Sequence, residues 1–313
     1  MTTQSPSRSP LYLCISLLAV VAYVLLIEWV WGWQAIISQW SNWSVLSTLI
    51  ALVLMFFTYA LRAYRIRDYF RQYPKVNFSE SCRITLMHNL ANNLLPMRTG
   101  EASFPLMMRS SFDLSLSMTT GTLVFFRTLD LQVLIALGSL AWVYQLQSSL
   151  LWWLAWIAFA ISPILLLPCR VFIETYLIKA LPIKIAELAK KILSGTPENY
   201  TALLRTLLIT WLNWSIKIIV FAWILISFAD LELVQAITGA MGGELSSVLP
   251  LHAPAGIGTY EAGVVAGAAL TGSNIDSSVA AAINLHILII LGTLLGGLIA
   301  PFIGPRGIVE QEE

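Results

Sequence analysis

Residues 92–101 read NNLLPMRTGE, and this segment decides the fold. It places a proline, a glycine and two ionisable side chains between apolar segments, where an uninterrupted membrane helix would carry none of them. Residues 247–261 read SVLPLHAPAGIGTYE and repeat the order of a Leu-Pro pair, glycine and a glutamate that precedes an apolar helix. Both segments therefore predict a break in a helix at membrane depth.

The composition places the chain among polytopic membrane proteins. Of its 313 residues, 58% are hydrophobic and 11% are charged, whereas a soluble domain has about 25% charged residues. Nothing in the charge distribution indicates nucleic-acid binding. Because Cys14, Cys82 and Cys169 are widely spaced and have no neighbouring histidine, neither a disulfide framework nor a metal site is expected.

Apolar runs predict an all-α protein with six full transmembrane helices. A span needs about 20 helical residues, and runs of that order occupy residues 11–30, 45–63, 118–144, 150–168, 203–228 and 277–300. Two further apolar regions, 84–108 and 233–270, are interrupted by the two motifs, which leaves arms too short for spans. Because broken backbone in lipid must be enclosed by protein or by a watery cavity, these regions predict re-entrant helical hairpins.

The basic residues predict the orientation of the helices. They cluster after the second span (Arg62, Arg65, Arg67, Arg71, Lys75, Arg83) and after the fourth (Arg170, Lys179, Lys184, Lys190, Lys191), whereas 31–42, 145–149 and 229–276 contain none. If each hairpin returns to its own side, all basic clusters lie in the cytoplasm. The hairpins then enter from opposite sides, and both termini of this multi-pass cell (inner) membrane protein are cytoplasmic.

The same pattern predicts one membrane domain, residues 1–313, with an inverted repeat. Repeat 1 covers about 11–145 and repeat 2 about 150–303, and Arg127 follows Glu101 at nearly the same spacing as His286 follows Glu261. Inverted repeats with broken helices are a recurrent transporter architecture that binds substrate at the break. Residues 171–193 interleave lysines with apolar residues, which predicts an amphipathic basic helix on the cytoplasmic surface.

Ionisable residues inside the hairpins and spans are candidates for function, because a charge in the bilayer is costly unless it is paired or hydrated. They are Arg98, Glu101, Arg127, Asp130, Lys217, Glu261 and His286. Arg98 at the first break could hold a phosphate, or it could form only a local salt bridge with Glu101. Arg127 and Asp130 share a helix face and can neutralise each other.

Lys217 lies in the middle of a span and needs a cavity or a carboxylate. Glu261 or Glu101 is its expected partner. His286 could line the same cavity, or it could only donate to a backbone carbonyl. Residues expected to form the two loops are Pro96, Gly100, Pro254, Gly256 and Gly258.

Both motifs resemble the lysylphosphatidylglycerol synthase transmembrane-region family, whose members are also called flippase-like domain proteins. The resemblance rests on NLLP at 93–96, RTGE at 98–101, PAGIG at 254–258 and EA at 261–262, and it covers nearly the whole chain. It implies a membrane domain that moves, or helps to move, a lipid with a charged or glycosylated headgroup. Longer members continue into a soluble aminoacyl-transferase domain, which this sequence lacks, so the resemblance implies the translocation half.

The leading hypothesis is a lipid flippase-like protein without cofactor, whose partner is a membrane lipid. The expected substrate-binding residues are Asn93, Arg98, Glu101, Arg127, Lys217, Glu261 and His286. The alternative is a non-transporting subunit that recruits a glycosyltransferase or a lipid-modifying enzyme. Because the sequence has no Ser/His/Asp set, metal-ligand cluster or nucleotide-binding loop, enzymatic activity is not expected.

Overall fold

A computed structural model describes Leu25 and residues 27–29, 32–145, 149–247 and 254–304. This part of the chain is helical and contains no strand. Helices long and apolar enough to cross a membrane are Val45–Tyr69, Leu116–Leu140, Leu150–Ala180, Tyr200–Phe228 and Ile275–Phe302. They confirm an all-α, multi-pass membrane protein. The predicted span 11–30 falls almost entirely outside the described residues.

We number the described α-helices in chain order. They are α1 (Trp33–Ser38), α2 (Val45–Tyr69), α3 (Phe78–Leu94), α4 (Ser103–Phe112), α5 (Leu116–Gln145), α6 (Leu150–Ile161), α7 (Leu166–Phe172), α8 (Ile183–Leu193), α9 (Tyr200–Phe228), α10 (Leu233–Ser246), α11 (Thr259–Ala269) and α12 (Ile275–Ile299). Asparagine side chains cap the first turns of α3, α9 and α12, where backbone N–H groups have no helical partner. These polar caps mark where each helix begins.

Helices α2 and α9 pack antiparallel at the centre. Arg205 near the start of α9 lies 3.0 Å from the Asp68 carboxylate near the end of α2. At the other end of the pair, the ring of Phe228 stacks on Trp43 with centroids 4.8 Å apart. Because α3 follows α2 and α10 follows α9, the helices that carry the two motifs begin at opposite ends of this pair.

The first motif folds back on the helix that precedes it. Helix α3 ends at Leu94 because Leu95 is extended before Pro96, as residues before proline usually are. A 3₁₀-helix over Pro96–Ala102 then leads into α4. A Cβ atom on Gly100 would lie 2.4 Å from the Ala91 carbonyl carbon, so only glycine fits this return. The loop-forming role predicted for Gly100 is therefore explained by contact with α3.

The second motif joins two helices that touch through their backbones. Gly242 of α10 faces Gly263 and Gly267 of α11, and a Cβ on Gly242 would lie 2.1 Å from the Gly263 carbonyl oxygen. Thr238, nearer the start of α10, faces Gly267, so α10 and α11 form an antiparallel hairpin. Small residues let membrane helices approach this closely.

Replacing Gly242 with valine should therefore separate α10 from α11. We expect the free energy of unfolding to fall by about 2 kcal/mol or more, because the new side chain overlaps backbone atoms that cannot move aside. Equilibrium unfolding in mixed micelles measures the change. Ala266→Val, on the exposed face of α11, is the matched control. Equal stability of the two variants would contradict the close contact.

Two boundaries differ from those the hydropathy predicts. Helix α2 continues past residue 63 to Tyr69, because Arg65 and Asp68 are buried against other helices instead of facing the cytoplasm. The apolar helix that begins at Leu150 extends to Ala180, and Leu181 is extended before Pro182. The predicted amphipathic segment 171–193 is thus divided. Only its second part, α8, is a separate amphipathic helix.

Candidate functional site: a polar cavity between the helices

A polar cavity of about 120 Å³ lies where the two motifs meet. Its charged and polar lining residues come from six helices and are Tyr59 and Arg62 of α2, Asn89, Asn92 and Asn93 of α3, Arg127 and Asp130 of α5, Lys217 of α9, Glu244 of α10 and His286 of α12. The second motif contributes Ser247, Ala255, Gly256 and Tyr260, and apolar side chains such as Leu134 and Phe221 form the rest of the wall. Helices α2, α3 and α5 each contribute more than one of the charged and polar side chains, which lie within one turn of each other and share a face. The other three helices contribute one each, so the cavity is lined by a few polar residues on otherwise apolar helices.

Arg127 joins the first motif to the cavity. Its Nη2 atom lies 2.8 Å from Oε1 of Glu101, and its Nε donates to Oε2 at 3.2 Å. Asp130 is more distant, 3.7 Å from Arg127 Nη1. The expected ion pair between Arg127 and Asp130 is therefore present, but Glu101 approaches Arg127 more closely.

The closest cation to Asp130 is Arg65, with which it forms a buried pair. The guanidinium donates to both carboxylate oxygens, at 2.6 Å and 3.2 Å, and the Trp214 indole N–H donates to Oδ1 at 3.0 Å. The two side chains are 5% and 7% exposed. Such a forked pair is geometrically specific and ties α2, α5 and α9 together.

Lys217 pairs with a residue that the sequence reasoning missed. Its ammonium donates to Oε2 of Glu244 at 2.8 Å and lies over the rings of Trp214 and Phe221. Glu261 and Glu101, the expected partners, bind other cavity residues instead. The available signal was Glu244 itself, a single carboxylate inside the apolar run 233–246.

Glu261 and His286 hold the second motif. One carboxylate oxygen lies 2.8 Å from His286 Nδ1, and the other accepts from the Gly258 N–H at 2.8 Å. His286 Nε2 is 2.8 Å from the Ala255 carbonyl oxygen. Both alternatives for His286 are thus correct, because it lines the cavity and also contacts a backbone carbonyl.

Arg62 differs from the other cations of the cavity. Within the described ranges, its guanidinium forms no hydrogen bond and no ion pair with a carboxylate. It is partly buried and belongs to the cavity wall. The distribution of basic residues predicts a cytoplasmic position for Arg62, although Tyr59, Arg62 and Arg65 follow each other at one-turn spacing. An unpaired cation in a polar cavity is a position for an anionic group.

Four of the expected binding residues line the cavity: Asn93, Arg127, Lys217 and His286. Glu101 and Glu261 lie directly behind two of them as ion-pair partners. The side chains of Arg98, Pro96 and Pro254 fall outside the described part of the structure. Gly256 and Gly258 have left-handed backbone conformations, with φ of 75° and 82°, as expected for the second loop.

Two comparisons with known proteins bear on this site. The family model described as the lysylphosphatidylglycerol synthase TM region matches residues 14–297. Both motifs and the whole described cavity wall fall inside the matched range. A search of curated proteins finds no match.

Proposed function

Because this chain belongs to the lysylphosphatidylglycerol synthase transmembrane-region family, we propose that it moves, or helps to move, a lipid with a charged headgroup between membrane leaflets. The observation that carries the proposal is Arg62, a cation without a carboxylate partner in a polar cavity among membrane helices. A headgroup phosphate is an anion whose oxygens match the forked donors of a guanidinium. Arg127 and Lys217 already have carboxylate partners, Glu101 and Glu244.

A second cavity favours a lipid over a small soluble anion as the substrate. It measures about 780 Å³ and is lined mainly by apolar residues of α5, α6, α10 and α11, among them Trp152, Trp156 and Met241, and by Leu270 directly after α11. Leu134 belongs to the walls of both cavities. A phospholipid could place its headgroup beside Arg62 and an acyl chain in the apolar cavity. The headgroup would then lie among polar side chains and the acyl chain among apolar ones.

The proposal includes the topology expected from the sequence. Six full spans, the first at 11–30, and two hairpins that re-enter from opposite sides place both termini in the cytoplasm of the cell (inner) membrane. The opposite starting points of α3 and α10 along the α2–α9 pair support this arrangement. The exposed Ile183, Ile185 and Leu188 of α8 suit a helix lying on the membrane surface.

Proteoliposomes containing labelled phosphatidylglycerol test the function. We expect the wild-type protein to exchange the lipid between leaflets faster than protein-free vesicles do. Asn93→Trp fills the cavity and should return the rate to the protein-free level. Leu94→Trp is the matched control, because the adjacent Leu94 is 43% exposed and does not line the cavity.

Equal rates for wild-type and protein-free vesicles would contradict translocation. That result would favour the alternative proposal, a subunit that recruits a glycosyltransferase or a lipid-modifying enzyme. Cross-linking in native membranes, followed by identification of a stoichiometric enzyme partner, would then support the alternative. Wild-type exchange in a folded Asn93→Trp variant would instead show that the cavity is not the route.

A further inference from the structure

The hydrogen bonds of His286 require a proton at the edge of the cavity. One ring nitrogen faces the Glu261 carboxylate and the other faces the Ala255 carbonyl, each at 2.8 Å. A carbonyl oxygen can only accept, and an ionised carboxylate can only accept. Both contacts are made only if the ring carries two N–H groups, or if Glu261 is protonated and donates to Nδ1. In either case the pair holds one dissociable proton.

The contacts of His88, which lies behind the first motif, indicate a ring that carries only one proton. Its Nε2 atom lies 3.3 Å from Arg127 Nη2, a group that can only donate. The Asn92 side-chain nitrogen is also near it, at 3.1 Å, whereas the Glu101 carboxylate lies farther away, at 3.6 Å. With two donors closer than the carboxylate, Nε2 accepts, and Nδ1 donates its N–H to Ser103 Oγ at 3.0 Å. The same reasoning thus makes His88 a neutral imidazole and a built-in reference for His286.

The proton on the pair fixes part of the cavity wall. Ala255, whose carbonyl contacts His286, has a φ of 57°, a left-handed conformation that is unfavourable for alanine. Ala255 and Gly256 both line the cavity. When the proton leaves, the imidazole keeps one N–H and can satisfy only one of its two contacts. Either the Glu261 or the Ala255 contact is lost, and the strained loop loses support.

We propose that the Glu261–His286 pair is a proton-binding site that holds the loop at Pro254–Gly256 against α12 and couples the cavity to a transmembrane pH gradient. The coupling rests on the proposed lipid translocation. In the release step, the N–H or O–H bond of the pair breaks, its electrons stay on the pair, and a cavity water takes the proton as hydronium. Titratable or charged groups around the pair are Tyr260 of α11, Glu244 of α10, Lys217 of α9, Tyr59 and Arg62 of α2, and Arg127 and Asp130 of α5.

Nuclear magnetic resonance of the full chain in nanodiscs tests the proton directly. With ¹⁵N-labelled histidine and ¹³C-labelled glutamate, we expect at neutral pH either a doubly protonated His286 ring or a protonated Glu261 carboxyl. His88 should have one protonated ring nitrogen. His88→Gln and His286→Gln assign the signals. An ionised Glu261 beside a singly protonated His286 ring would overturn the proposal.

Hydrogen exchange of backbone amides tests whether the protonated pair holds the loop in place. After correction for the intrinsic pH dependence of exchange, the amides of residues 255–258 should lose protection once the pair is deprotonated. His286→Gln should lack this pH-dependent change. If protection changes equally with pH in the wild-type protein and in His286→Gln, the pair does not control the loop. Neither measurement requires lipid transport, so both remain decisive if the proposed function fails.

Transport under an imposed pH difference tests the coupling. Loss of one hydrogen bond to a charged group changes an equilibrium by about tenfold or more, so we expect wild-type lipid exchange to change by about that factor. Exchange by His286→Gln and Glu261→Gln should not respond to the pH difference. Wild-type exchange that is measurable but independent of pH would overturn the coupling while leaving lipid translocation intact.

Discussion

Replacing Asp130 with alanine is expected to lower the free energy of unfolding by about 3 to 5 kcal/mol. The substitution leaves the Arg65 guanidinium, 5% exposed, without its carboxylate. Arg65 would keep only its bond to Thr210 Oγ1 at 2.9 Å and its position over the ring of Phe126. A buried charge that loses its partner keeps its desolvation penalty, so the cost exceeds that of the lost bond. Equilibrium unfolding in mixed micelles measures this cost.

The double variant Arg65→Met, Asp130→Leu separates the charge effect from the packing effect. We expect it to be more stable than Asp130→Ala, because it removes both charges and fills similar volume. Glu174→Ala is the surface control. It breaks a pair with Arg170 in which the glutamate side chain is 43% exposed, and such pairs contribute about 0 to 1 kcal/mol. If Asp130→Ala is no more harmful than Glu174→Ala, the buried pair does not stabilise the fold.

The sequence predicts the helices well because their signals are local. An apolar run of sufficient length is enough to identify a span, and a proline such as Pro96 is enough to end α3. The break in each motif was predictable for the same reason. Glycine and proline affect the backbone conformation only within a few residues of their own positions.

Pairing inside the cavity was less predictable because it depends on residues far apart in the chain. Arg65 binds Asp130 and Lys217 binds Glu244 across helix contacts that hydropathy does not encode. The positive-inside rule counts basic residues but does not indicate which of them turn inward. Arg62 was therefore assigned to the cytoplasmic cluster, although its one-turn spacing from Arg65 indicated a shared helix face. A single carboxylate in an apolar run, such as Glu244, is the sequence signal for the partner of Lys217.

Replacing Arg62 with glutamine should reduce phosphatidylglycerol exchange in proteoliposomes about tenfold or more, because a hydrogen bond to a charged group contributes about 1.5 to 3 kcal/mol. Glutamine retains hydrogen-bonding capacity but removes the charge and the forked donor. The unfolding free energy should be unchanged or higher, since Arg62 forms no ion pair that the substitution could break and its charge is costly to bury. This combination separates a binding residue from a structural one: Asp130→Ala should lose stability, whereas Arg62→Gln should lose transport alone.

Arg67→Gln is the matched control for Arg62→Gln, because Arg67 lies on the same helix and is exposed. It should exchange lipid at the wild-type rate. Arg62→Lys should have intermediate activity, since an ammonium keeps the charge but cannot bind two phosphate oxygens with a planar fork. Wild-type exchange in a folded Arg62→Gln protein would remove Arg62 from the headgroup site. The anion would then have to bind a cation that already has a carboxylate partner, Arg127 or Lys217, and binding would require one of those ion pairs to open.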